Sequence, residues 1–318
     1  MIEFPTTRAA ALGRPGELRA GATDLQERRR LHLSEEPLID LRDVRDLDKI
    51  EWRGKNLRIG ALVTIAALAE HPDVRRHYPA LAAAAGGLAT PQIRARATVG
   101  GNLLQHVRCW YYRRPGADCL RRGGATCQAR AGDHSNHVCF DRGPCAAPNP
   151  STIATALLAN DVRVESAGAP DSTLEPLYGD PSAGRHHHQL PPGAVLVAIT
   201  LPPPLALERG GYARAISRAR AEWPLVEAVA RLVVDAGGVV RTAAVTVGAV
   251  ADVPLRLSAV ERKLVDQRPT PQSLEAAAAL ATEGATPLPD TAYKLDLLRG
   301  TVLEALDRAL SQEPAPSR

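Results

Sequence analysis

The sequence predicts an α+β fold in two domains, and three observations carry that expectation. At 318 residues the chain is long enough for two hydrophobic cores. Through residue 204, short apolar runs broken by turns alternate with alanine-rich stretches, as in mixed strand and helix layers. From residue 205 on, strand-like runs come first and helix-like runs last. Aromatic residues make up only 3% of the chain, so Ala, Leu and Val must fill both interiors.

The elements follow in order. Pro37–Leu41 and Leu57–Leu62 read as buried strands, joined by a charged connection from Arg42 to Lys49. Thr64 is placed to cap a helix over Ile65–Glu70 that Pro72 stops, and a second helix covers Pro79–Leu88, closed by Gly86 and Gly87. Gln92–Asn102 reads as a strand running into a glycine turn. Residues 106–148 lack regular periodicity, and a segment of that length in a compact domain is functional or disordered; its cysteines favour function. Pro150, Ser151 and Thr152 start a helix over Ile153–Leu158, after which Asp161–Glu165 alternates as a strand. Residues 166–193 are loop-rich, and their His186-His187-His188 run reads as a solvated loop, since consecutive side chains cannot all face one ion. Ala194–Leu201 is a strand stopped by three prolines. Beyond it, strands are expected at Tyr212–Ser217 and Val239–Val250, with helices at Leu225–Val234, Pro271–Thr282 and Thr291–Leu310.

Several function classes are disfavoured. The net charge of +4 is spread out, without the basic runs and stacking aromatics of a nucleic-acid binder. No apolar stretch reaches the roughly 20 residues of a membrane span. Met1–Ala22 carries Arg8, Arg14 and Arg19 with no apolar core between them, so a signal peptide is not expected and a cytoplasmic location is. Serine-hydrolase, P-loop and zincin motifs are missing.

Two features point toward chemistry. Thr98-Val99-Gly100-Gly101-Asn102 and the earlier Gly21 loop have the composition of an anion nest, because glycine lets backbone N–H groups approach a phosphate. Thr23 and Thr98 add hydroxyl donors and Asn102 an amide. All five cysteines lie between Cys109 and Cys145, just beyond the second loop. An odd count argues against a complete disulfide framework. Thiolates suit an iron–sulfur cluster or zinc, and wide spacing without Cys-x-x-Cys pairs disfavours zinc ribbons. A phosphate-binding loop beside a soft-metal segment is what an electron-transfer flavoprotein with an added iron–sulfur cluster needs.

On these residues the chain resembles the FAD-binding medium subunit of molybdenum hydroxylases, the xanthine dehydrogenase family, over almost its whole length. That family's Ala-Gly-Gly-Thr-Asp-Leu loop stands here as Ala20-Gly21-Ala22-Thr23-Asp24-Leu25, and its Gly-Gly-Asn loop is unaltered at residues 98–102 after Gln92-Ile93-Arg94. Leu38-Ile39-Asp40, Ile59-Gly60-Ala61 and the Tyr212–Arg218 segment match its other patterns. The strings Arg108-Cys109-Trp110-Tyr111, Gly124-Ala125-Thr126-Cys127 and Gly143-Pro144-Cys145 are similar to the [4Fe–4S] loop in flavin subunits of 4-hydroxybenzoyl-CoA reductase and some bacterial aldehyde oxidoreductases.

The resemblance implies a vanillyl-alcohol-oxidase-type (PCMH) FAD-binding fold over residues 1–204, carrying the 106–148 iron–sulfur insert. A CO dehydrogenase flavoprotein C-terminal-like domain would follow over 205–318. It implies FAD contacts from Ala20, Gly21, Ala22, Thr23, Asp24 and Leu25, from Thr98, Gly100, Gly101 and Asn102, and from Ser151 and Arg214. It implies a [4Fe–4S] cluster on Cys109, Cys119, Cys127 and Cys145, with Cys139 the alternative to Cys145. Arginines from Arg94 to Arg122 would offset the cluster's charge. Alanine at position 22 departs from the family's glycine and is strained by about 1 kcal/mol if that residue needs φ > 0. The implied partners are a large molybdenum-cofactor subunit and a small subunit with two [2Fe–2S] clusters, in a heterotrimer or its dimer; a twin-arginine signal on a partner would instead place the complex in the periplasm. Two other readings are a stand-alone FAD oxidoreductase, which would not need the cysteine insert, and a zinc-stabilised binding module, which would be colourless.

Overall fold

Three sheets organise the chain in the computed structural model, which describes residues 1–180, 184–219 and 221–315. The first is parallel, with Leu38–Asp40 between Ile2–Glu3 and Glu17–Arg19. The second is antiparallel, in the order Ile50–Arg53, Asn56–Gly60, Val195–Leu201, Arg163–Ala167, Ser172–Thr173. The third is also antiparallel, in the order Leu255–Arg256, Val240–Gly248, Val226–Val234, Glu208–Ala215.

Local signals explain the helices. Thr64 caps Ile65–Glu70 through its hydroxyl, which accepts from Ala67 N–H at 3.1 Å, and Ser151 caps Thr152–Leu158 by accepting from Ala154 N–H at 3.0 Å. Alanines of Pro79–Gly87 bury against the helices Ile65–Glu70 and Thr152–Leu158 and against Glu208–Ala215 of the third sheet, so this small-residue helix joins the two cores.

Two expected elements differ. Gln92–Asn102 is not a strand but two short helices, Pro91–Arg94 and Val99–Leu103. Thr90 and Thr98 cap them, and Pro91 at the first helical position fixes φ where no N–H is needed. Leu225–Val234 is not a helix; Val226–Val234 is a central strand hydrogen-bonded on both sides. Its valines at 226, 229, 233 and 234 suit a pleated surface, and a strand buried on both faces shows no polar alternation. An additional helix covers Ser258–Leu264.

The third sheet is covered by the long helix Lys294–Ser311, whose Leu298, Val302, Ala305, Leu306 and Ala309 are buried in the core. The cysteine segment is sewn to this same unit. Cys139 and Phe140 N–H groups both donate to Val250 O, at 2.9 and 3.0 Å, and Thr291 Oγ1 donates to Val138 O at 2.9 Å. Among the described residues, no helix is long and apolar enough to cross a membrane.

Gly211 sets the distance between helix and sheet. A Cβ there would overlap the Ala305 carbonyl oxygen and lie 2.6 Å from Ala309 N. Gly211→Ala is therefore expected to destabilise the protein by about 1–3 kcal/mol through overpacking. The midpoint of denaturant unfolding measures it, and an unchanged midpoint would contradict the packing described.

Candidate functional site

A cavity of about 610 Å³ opens where the parallel sheet meets the second sheet. Residues 20–25 form one wall and Thr98, Gly100 and Gly101 another. The chain turns at Ala22 with φ 60°, so this alanine does hold a left-handed conformation. Among the described residues, the N–H groups of Gly21, Ala22 and Thr23 have no hydrogen-bond partner, which leaves three donors at the wall for an anionic ligand.

The second loop uses its glycines differently from an anion nest. Gly100 N–H donates to Ala61 O at 2.8 Å and Gly101 N–H donates to Thr98 Oγ1 at 3.1 Å, so both are engaged. Glycine is needed for close packing instead. A Cβ on Gly100 would come within 2.9 Å of Ala61 Cβ, and one on Gly21 would overlap the Arg96 carbonyl. Gly101 is exposed and lines the cavity.

The other candidates lie at different removes. Asn102 and Ser151 are buried and bonded to each other, Ser151 Oγ donating to Asn102 Oδ1 at 2.7 Å; Ile153 N–H reaches the same oxygen at 3.3 Å. They fix the helix start behind the loop and do not line the cavity. Arg214 also lies away from it, opposite Glu227 in the third sheet. There its charge acts on the Glu227 carboxyl and the Tyr212 phenol.

Asp24 borders the cavity, but its carboxylate is engaged elsewhere. It accepts from Arg113 Nη2 at 2.6 Å, from Arg28 Nε at 2.9 Å and from His106 N–H at 3.2 Å, and it lies 3.0 Å from Arg108 Nη2. Burial pushes its pKa up, but the Arg108, Arg113 and Arg28 charges outweigh that and hold it at about 2. Glu27 bridges Arg108 and Arg113 at 2.8 and 2.9 Å, and Glu17 pairs with Arg28. The loop at 20–25 is thereby locked to the start of the cysteine segment.

His187 corrects the expectation of a solvated loop. It lines the cavity and stacks on His106, with centroids 3.9 Å apart and planes at 14°. The Tyr112 hydroxyl lies 2.5 Å from His106 Nδ1. Burial, with Arg28 beside it, lowers the His106 pKa to about 3, and burial drives His187 well below its usual range, so the stack is neutral.

Four cysteines converge next to this wall. Cys109, Cys119 and Cys145 share an apolar pocket with Val107, Tyr112 and Leu120, and Cys127 adjoins it beside Tyr111 and Ala146. The Cys145 thiol donates to Cys127, which lowers the Cys127 pKa. Burial raises Cys109 to about 11 and raises Cys119. Cys139 stands apart, in the C-terminal core near the buried Lys294. Among the described residues no three His, Cys, Asp or Glu side chains are disposed to hold a single metal ion. Of the arginines expected to offset a cluster, Arg108 and Arg113 are taken by carboxylates, Arg94 by the carbonyls of Leu88 and Ala89, and Arg122 by that of Arg114. Arg121 reaches a sulfur, its Nε donating to Cys145 Sγ at 3.1 Å. Sequence reasoning missed Arg28, His106 and His137, the last 3.2 Å from Cys109 Sγ; only the Asp24–Arg28 spacing of four was a local signal.

Comparison with known proteins matches this architecture to a class. Residues 9–204 match the FAD binding domain in molybdopterin dehydrogenase, and residues 212–309 the CO dehydrogenase flavoprotein C-terminal domain. The chain therefore belongs to the FAD-binding medium subunits of the molybdenum hydroxylase family, which are oxidoreductase subunits. It is 34% identical to the aldehyde oxidoreductase FAD-binding subunit PaoB of Escherichia coli K12 over 92% of this chain and 91% of that one. It is 24% identical to the 6-hydroxypseudooxynicotine dehydrogenase complex subunit alpha of Paenarthrobacter nicotinovorans, over 86% of this chain and 79% of that one. The fold is shared with carbon monoxide dehydrogenase from Hydrogenophaga pseudoflava, at TM-score 0.74 and 21% identity over 98% of this chain and 96% of that one. It is shared equally with quinoline 2-oxidoreductase from Pseudomonas putida 86, at TM-score 0.74 and 20% identity over 97% and 95%.

Two outcomes follow from the loop. Ala22→Gly removes the left-handed strain and is expected to stabilise the protein by about 1 kcal/mol and to tighten FAD, read by thermal melts and flavin fluorescence quenching; weaker FAD binding in this variant would contradict it. The depressed Asp24 pKa contributes stability in full above the unfolded value of 3.8 and loses it as pH falls through about 2. Asp24→Asn should cost about 3 kcal/mol at neutral pH and flatten that acid limb, and an unaltered acid limb would speak against the ion network.

Proposed function

We propose that this chain is the electron-transfer subunit of a heteromeric molybdenum-containing hydroxylase or dehydrogenase, with FAD in the cavity and a [4Fe–4S] cluster on Cys109, Cys119, Cys127 and Cys145. The observation that carries the cluster is the convergence of three thiols on one apolar pocket beside the cavity wall, with a fourth, Cys127, adjoining it and Cys139 removed to another core. Soft thiol donors, apolar walls and one adjacent guanidinium are a donor set that suits an iron–sulfur cluster. Four ligands around a cluster stand farther apart than ligands around one ion, so the lack of a single-ion arrangement is compatible with it.

FAD supplies two-electron exchange with an outside partner and single-electron exchange with iron–sulfur centres. The chain's own residues bind and orient it. Unengaged N–H groups of Gly21, Ala22 and Thr23, with the Thr23 hydroxyl, would meet the pyrophosphate, Gly101 would give the ligand a close approach, and Thr98 would hold that loop in shape. Leu25 and Ala20 complete the wall. Asn102, Ser151 and Asp24 would act from behind it as supports. Arg214 would approach the flavin from the third sheet, outside the cavity wall.

This reading divides the chain into a FAD-binding domain of residues 1–204, with its insert at 106–148, and a C-terminal domain of 205–318. It calls for a large molybdenum-cofactor subunit that takes the substrate and a small subunit with two [2Fe–2S] clusters. It also carries a cytoplasmic location, unless a partner's signal exports the complex; cell fractionation tells these apart.

The test is the absorption spectrum and the metal content of the anaerobically purified chain, with Cys127→Ser and Cys139→Ser beside it. Iron and flavin are expected in the parent, iron lost and some FAD kept in Cys127→Ser, and iron kept in Cys139→Ser. A yellow, iron-free parent would leave the FAD and remove the cluster. Zinc in a colourless protein would favour a binding module instead. Full iron in Cys127→Ser would overturn the ligand set.

A further inference from the structure

Arg121 belongs to both the cysteine pocket and the cavity. It follows Cys119 in a single turn, Leu120–Arg122. Its Nε donates to Cys145 Sγ at 3.1 Å, and its Nη1 donates to the carbonyl oxygen of His186. The residue lines the cavity together with His186, His187 and His188. One guanidinium thus touches a proposed cluster ligand with one edge and, with the other, the segment that carries the stacked His187.

Its charge is also available. Arg28, Arg108 and Arg113 are each paired with carboxylates at the Asp24 network. Among the described residues, no carboxylate lies within ion-pair distance of Arg121; Asp252 is near enough only for its charge to be felt. A guanidinium without a carboxylate partner, in contact with sulfur, is free to stabilise negative charge on the sulfur side.

We propose that Arg121 is a positioning residue that links the two redox sites of this chain. Toward Cys145 it lends positive charge to the cluster, and through the His186 carbonyl it fixes residues 184–190 as a wall of the FAD cavity. The inference rests on the cluster reading above. Two consequences separate charge from shape. A cation beside a cluster favours the reduced form, which carries one more negative charge, so Arg121 raises the cluster's midpoint potential. The double contact needs the planar fork of arginine, whereas a lysine can place a charge without spanning both acceptors.

The full chain with its cofactors is compared with Arg121→Gln and Arg121→Lys. Iron and FAD content, cluster midpoint potential by spectroelectrochemical titration, and FAD affinity by fluorescence quenching are measured in each. Arg121→Gln is expected to keep iron, to shift the cluster to lower potential and to weaken FAD by about tenfold, the loss of one hydrogen bond from a charged donor. Arg121→Lys should restore most of the potential but not the FAD affinity. A parent-like potential and affinity in Arg121→Gln would overturn the proposal while iron in the parent leaves the cluster reading intact. Failure of lysine to restore the potential would reduce Arg121 to packing and overturn it as well. A parent chain without iron would sink the cluster reading and this link together.

Discussion

The Asp24 carboxylate holds the functional half of this molecule in place. Three guanidiniums and a backbone N–H converge on it, and Glu17 and Glu27 complete the charge balance. Such a buried network is stable only when every member is present, because a lone charge in that setting would bear its full desolvation penalty. What the network joins matters more than its net energy. Asp24 and Arg28 belong to the loop and helix at the cavity, while Arg108 and Arg113 belong to the cysteine segment. A long segment with little secondary structure therefore has a fixed start beside the loop at residues 20–25, which packing alone would not give it.

The glycine loops show how close approach and ligand donation can be divided between two walls. Gly21 and Gly100 are each excluded from carrying a side chain by a neighbouring backbone or methyl group. At the second loop the N–H groups serve the fold, through Ala61 and Thr98. At the first they remain without partners among the described residues. Donors for an anionic group are thus left at residues 21–23, whereas Gly101 has its N–H engaged by Thr98. The strain at Ala22 falls on the donating wall, where a left-handed residue turns successive N–H groups to one side.

Legibility in the sequence followed the range of the signal. Helices with a Thr or Ser cap, at Thr64 and Ser151, were readable because cap and first turn lie within four residues. Gln92–Asn102 misled because alternating residues outweighed Thr90, Pro91 and Thr98, which were cap signals in plain view. Val226–Val234 misled because a strand buried on both faces loses the alternation that would separate it from a helix. The two loops and the cysteine crowding were legible as motifs. The Asp24 network was not, since His106 and Arg113 lie 82 and 89 residues from it and no local pattern encodes a long-range ion pair. His187 was hidden for the same reason: its stacking partner, His106, comes from the far side of the chain.

The cysteine segment also works at its other end. Beyond Cys127 it enters the C-terminal unit, where Cys139 and Phe140 bond to Val250, and Thr291 and Lys294 bond back to Val138 and Asn136. Cys145 then returns to the first three thiols. A segment anchored by ions at one end and by backbone bonds at the other has its middle drawn across the junction of the two cores. Cys109, Cys119 and Cys127 each stand just before a short turn, Trp110–Arg113, Leu120–Arg122 and Gln128–Arg130, and Cys145 joins them after the C-terminal anchor. The same constraint explains Cys139. It lies on the stretch that bonds to Val250 and Thr286 of the C-terminal unit, so its side chain is given to that core and is withheld from the pocket.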